Sequence, residues 1–147
     1  MTQEKAEKKF PHFFPQNIVP VGAKFEPIEV YRVCVWGKID KDAFISTYEQ
    51  KCIRGNIAIR DIDITDPGTY STSCNEKINH ARRRHKLFSK HYPKPIVARG
   101  KTNGLYGPSQ RTEERTGKKD NSHVDWWLYE GSDPSSEFEE VDVYENS

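Results

Sequence analysis

The sequence predicts an α+β fold, with a single compact domain over residues 28–147, a mixed or mostly antiparallel sheet and one main basic helix at about residues 75–91. Three observations predict it. Runs rich in Val, Ile and aromatic residues are short and irregularly spaced, only one segment sustains helical periodicity, and two strand-like runs follow one another late in the chain. With 147 residues, 34% hydrophobic and 12% aromatic, the chain suffices for one small, aromatic-rich core and is too short for two ordinary domains.

Each element has a local cause. Residues 1–27 read as a flexible, Lys/Glu-rich tail followed by an arm laid on the domain, because Pro11, Pro15, Pro20 and Pro27 interrupt any regular element. Glu29 to Trp36 holds Val30, Tyr31, Val33, Val35 and Trp36 and stops at Gly37, which predicts a first strand. Asp40 is placed to cap a helix running to Gln50, although Ile45, Thr47 and Tyr48 also suit a strand. Ile57 to Ile64 reads as a short strand or ordered loop before the turn at Asp66, Pro67 and Gly68. From Asn75 to His91, Ile78, Ala81, His85 and Phe88 recur at helical spacing and should face the core, leaving Arg82, Arg83, Lys86 and Lys90 outward. Pro93 and Pro95 bar its continuation. Ile96 to Ala98 is expected as a buried strand, and Gly100 to Asn121 as a long polar loop. His123 to Tyr129 alternates, with Val124, Trp126 and Leu128 on one face and His123, Asp125, Trp127 and Tyr129 on the other. Phe138 to Tyr144 is the expected last strand.

Charge divides the chain. A net of +1 conceals thirteen basic against three acidic residues over 76–119, then none against nine over 120–147. That asymmetry suits either an anion-binding face or two regions that neutralise each other. The sequence has no apolar run of membrane-spanning length and no signal-like start, so a cytoplasmic protein without membrane contact is expected. Cys34, Cys52 and Cys74 are odd in number and widely spaced, which points to reduced thiols rather than a disulfide framework or zinc site. His80 and His85 are five apart, not the four that align two ligands on a helix, and no metal is expected.

Three short motifs stand in a suggestive order. Tyr31-Arg32 lies in the first strand, Ser71-Thr72-Ser73 follows Gly68 and Tyr70 and precedes the helix, and Glu137-Phe138-Glu139 lies near the end. Together they resemble the Arg, Ser-Thr-Ser and Glu-x-Glu signature of ADP-ribosyltransferases. The resemblance implies NAD as cofactor and a macromolecular target, protein or nucleic acid, for the ADP-ribose. It implies catalytic roles for Arg32, Ser71 and Glu139, with Tyr31, Thr72 and Ser73 lining the NAD site. Cleaving the glycosidic bond of NAD builds positive charge on the ribose, which a fixed carboxylate stabilises. Glu137, Glu139 and Glu140 are alternatives for that carboxylate, and Ser46-Thr47 is a rival for the serine motif. The plain structural alternatives are a paired strand arginine, a helix-capping turn and a solvated acidic face.

Two other readings use different residues. Arg82, Arg83, Arg84, Lys86 and Lys90, extended by the cations of the following loop, suit a nucleic-acid or anionic-partner binding module, with Tyr92 and Tyr106 for stacking. Arg111, His123, Asp125 and Trp127 suit a pocket in which His123 and Asp125, two apart on one strand face, form an acid–base pair beside an aromatic wall. A protein-interaction role of the kind found in bacterial mobile-element proteins, through the aromatic surface, is the remaining class.

Overall fold

The computed structural model describes residues 8–55 and 58–145. Its frame is one six-stranded antiparallel sheet, an α+β domain as the sequence predicts. The strands are β1 (Glu29–Cys34), β2 (Thr72–Asn75), β3 (Ile96–Lys101), β4 (Ser109–Arg111), β5 (His123–Trp126) and β6 (Glu139–Val141), in the order β4-β5-β2-β1-β3-β6. Helix α1 (Ile78–Phe88) and the short α2 (Thr112–Thr116) accompany it. Strand alternation sorts the core into two layers. Val30 and Cys34 of β1 face a layer with Phe44, Cys74, Val124, Trp126 and Phe138, whereas Val33 packs with Ala81 of α1, Val97 and Val143.

Several boundaries differ from expectation, each for a local reason. The helix expected from Asp40 to Gln50 is broken into a 3₁₀ turn, Lys41–Phe44, and a π turn, Glu49–Ile53; Asp40 does cap the first by accepting from the Ala43 N–H. Burying Phe44 while Thr47 N–H bonds the Ser71 carbonyl holds the backbone between those turns extended. Of the expected 57–64 element, Ile57 lies outside the described residues, and a 3₁₀ turn, Ile59–Asp61, stands in place of a strand. Asn75 belongs to β2 rather than to the helix, because α1 starts only where Ser122 Oγ takes the Lys77 N–H. The expected loop from Gly100 to Asn121 contains the end of β3, all of β4 and α2. Ser109–Arg111 is too short to signal a strand, and its pairing with β5 is what orders it.

The arm is anchored by rings. Phe10 lies 5.0 Å from Tyr129, Phe13 stacks at 5.2 Å on Tyr48, and Phe14 lies 5.5 Å from Tyr70. Lys24 then bridges Ser109 as an added rung.

Candidate functional site

Strand register places the expected residues on defined faces, since directly opposed residues share a face. Asp125 and His123 of β5 pair with Ser73 and Asn75 of β2, on the α1 side of the sheet. Arg111 pairs with Val124 and so points to the other side, where it meets Glu76 at 2.9 Å.

Asp125, fully buried, is the centre of a polar network on the α1 side. Its carboxylate accepts from Ser71 Oγ at 2.6 Å, from Thr112 Oγ1 at 2.8 Å and from Arg115 Nη2 at 2.8 Å. The 3₁₀ turn at Pro67–Tyr70 delivers Ser71, β4 and α2 deliver Thr112, and one helical turn later α2 delivers Arg115. Gly68 lies close against the network: a Cβ there would sit 3.3 Å from Arg115 Nη2 and 3.4 Å from Asp125 Oδ1. Trp127, also fully buried, donates its indole N–H to the Pro67 carbonyl at 2.9 Å and closes the network from the side. Its ring therefore packs on that turn.

His123 is oriented by the same network. Thr112 Oγ1 lies 2.6 Å from His123 Nδ1, and its single proton goes to Asp125, so Nδ1 carries the imidazole proton and donates to Thr112. Nε2 is left as an unprotonated acceptor. Burial lowers the imidazole pKa from 6.5, opposed by Asp125 and reinforced by Arg84, which keeps His123 neutral at neutral pH. The expected His123–Asp125 pair thus runs through Thr112, the direct separation being 3.7 Å.

The residues of the Arg, Ser-Thr-Ser and Glu-x-Glu set do not converge. Arg32 is buried on the opposite face and donates four hydrogen bonds, to the carbonyls of Ala43, Ser73 and Ile45 and to Gln50 Oε1. Tyr31 lies on the α1 side beneath Arg99. Thr72 bonds the Phe44 carbonyl on the Arg32 side, whereas Ser71 and Ser73 point to the α1 side, Ser71 into the Asp125 network. Glu139 is exposed on β6, separated from β2 by β1 and β3, and Glu137 binds Tyr106 Oη. A cavity of about 350 Å³ opens on the Arg32 side, roofed by Pro11 to Phe14 and bordered by Ser46, Arg54 and Tyr129; neither Arg32 nor Asp125 lines it.

The arginines of the sheet and α2 differ from the basic run of α1 in their partners. Arg99 pairs with Glu29, Arg111 with Glu76 and Glu114, and Arg115 with Asp66 and Asp125. On α1 and just past its end, none of Arg82, Arg83, Arg84, Lys86 and Lys90 lies within ion-pair distance of a carboxylate among the described residues. The acidic end passes α1 without neutralising it. Arg82 donates to the Val143 carbonyl, and both Arg82 and Lys86 lie over the Tyr144 ring.

Thr112 and Arg115 escaped sequence reasoning because they sit in the expected loop; their spacing of three on a short helical run was the available signal. Among the described residues, no group of His, Cys, Asp and Glu could hold a metal ion, and no helix is long and apolar enough to cross a membrane. No family model, no curated protein and no solved structure matches this chain.

Proposed function

We propose that the chain is a binding module for single-stranded nucleic acid, which it engages through the outer face of α1. The observation that supports this reading is a concentration of unpaired cations: Arg83, Lys86 and Lys90, on α1 and just past its end, are exposed and have no carboxylate partner among the described residues, whereas Arg99, Arg111 and Arg115 are paired. Unpaired cations on one helix face are what a phosphate backbone exchanges for its counterions. Rings stand beside them. Trp36 is 43% exposed and lies edge-on to Tyr92, which packs on Phe88 at the end of α1, and Tyr144 is 39% exposed. Such rings offer stacking surfaces for unpaired bases. Tyr106 is not among them, being held by Glu137.

NAD chemistry has weaker support, since Arg32 is buried and engaged and Glu139 stands three strands from β2.

The test is fluorescence anisotropy of a labelled single-stranded oligonucleotide across a salt series, with wild type and the R83Q/K86Q/K90Q triple variant. Wild type should bind with affinity falling steeply with salt, and the variant's log–log slope should flatten by about 0.7 for each phosphate that is no longer neutralised. Salt-insensitive binding, or equal slopes, would overturn the reading.

A further inference from the structure

Arg84 is the one member of the basic run that points inward. It lies one turn beyond His80 and Ala81, and Ala81 is buried against the sheet, so the helical period directs Arg84 at β2 and β5. Its guanidinium makes no hydrogen bond or ion pair among the described residues. Burial lowers its pKa, and of the charges that reach it, Arg32 opposes it while Asp120 and Asp125 support it from a distance. Arg32, more deeply buried, is satisfied by three carbonyls and an amide, whereas Arg84 finds no such partner among the described residues. A half-buried guanidinium with no protein partner keeps its donors available to an anion.

Two imidazoles flank this cation, each held by one nitrogen with the other unengaged among the described residues. His123 is fixed through Nδ1 to Thr112 and faces the α1 side of β5. His80, four residues before Arg84 on the same helix face, is fixed through Nδ1 to Ser122 Oγ at 2.9 Å. Ser122 immediately precedes His123 in the chain, so one turn sets both rings. The β2 floor between them carries Ser73 and Asn75 on the same face.

The geometry points to an oxyanion site between α1 and the β2–β5 pair, in which Arg84, His80 and His123 hold one phosphate group. Arg84 supplies the charge, His80 contributes a ring nitrogen, and His123 Nε2 shares a proton with a phosphate oxygen. The outer face of α1 is not required, so the site stands whether or not that face binds a polymer. The phosphate is either free or carried by a nucleotide, the chemistry being common to both. The charged groups facing His123 are Asp125 and Asp120 from its own strand region, Arg84 from α1 and Arg115 from α2. A bound phosphate adds a negative charge to that set and should raise the His123 titration.

The experiment follows the ring C–H resonances of His80 and His123 in the full-length protein by NMR, titrating inorganic phosphate, a nucleoside monophosphate and the same nucleoside without phosphate. Both histidines should shift with the two phosphate compounds and not with the nucleoside, and the His123 titration should move to higher pH. Tighter binding of the monophosphate than of inorganic phosphate would identify a nucleotide as the source, and equal binding the free ion. R84Q should weaken binding roughly tenfold or more, while K51Q in the exposed π turn Glu49–Ile53 should leave it unchanged. Unshifted histidines in the wild type, or phosphate affinity equal in wild type and a folded R84Q, would overturn the site; the wild-type titration decides the matter even if R84Q fails to fold.

Discussion

Asp125 illustrates how much one buried carboxylate organises. It has no exposure, and its three donors arrive from two separate segments of chain, Ser71 from one and Thr112 and Arg115 from α2, so its charge is compensated only in the folded state. Asp125→Asn keeps the volume and removes the charge opposite Arg115, whose side chain is only 17% exposed. We expect a loss of about 3 kcal/mol in urea denaturation; a loss below about 1 kcal/mol would mean that Asp66 alone suffices for Arg115. His123 adds a pH dependence. Its folded pKa lies below 6.5, so between the two values the unfolded chain binds more protons and stability rises with pH. Stability should therefore fall as pH drops below about 6.5 and level off below the folded value. His80 is shifted in the same direction, and H123N should flatten the drop in part and not wholly. An unchanged urea midpoint between about pH 7 and pH 5 would contradict the buried neutral imidazole.

At the scale of elements, strands with strong alternation were legible and those ordered by their partners were not. Val124 and Trp126 reach one core layer while His123 and Asp125 face the other side, as alternation requires. β2 was hidden because Thr72, Ser73 and Asn75 are polar residues in a buried strand, satisfied by Phe44, Thr47 and Asn121. The candidate site was half legible for the same reason. Ser71, His123, Asp125 and Trp127 were visible as residue types in suggestive places, but they entered two different readings that the fold joins into one network. The helical period was also misleading in places: Ile78, expected to face the core, is 39% exposed, while Arg84, read with the outward cations, turns inward. The loop between β3 and β4 supplies the element-scale prediction. Gly107 has φ +150°, and a Cβ there would collide with the Trp127 carbonyl oxygen. Its own carbonyl receives the Trp126 indole N–H. Gly107→Ala should cost about 3 kcal/mol, seen as a lowered thermal midpoint; an unshifted midpoint would mean that the β4–β5 junction opens at little cost.

Across the whole molecule, the basic and acidic blocks of the sequence do not annul each other. The acidic end is consumed as β6 at the sheet edge, with Val143 joining the core and Tyr144 reaching α1, and the carboxylates of that stretch leave the helix cations unpaired among the described residues. The arm from Phe10 to Phe14 covers the opposite side through three ring contacts, so each face of the sheet has a different covering chemistry, basic and polar on one side, aromatic on the other. Between the two halves lies Arg32. β1 and β2 are registered at a single pair, Tyr31 with Asn75, and beyond it the Ser73 carbonyl is taken by the Arg32 guanidinium instead of a strand amide. The six strands are thus two three-stranded ladders joined by one rung and one side chain. A sheet has two free margins to guard against pairing with other chains, and this one carries a third boundary inside the core, closed by a cation rather than by backbone. Were that cation lost, the carbonyls of Ala43, Ile45 and Ser73 would lose their donor together, so two ladders and the segment between them depend on a single side chain.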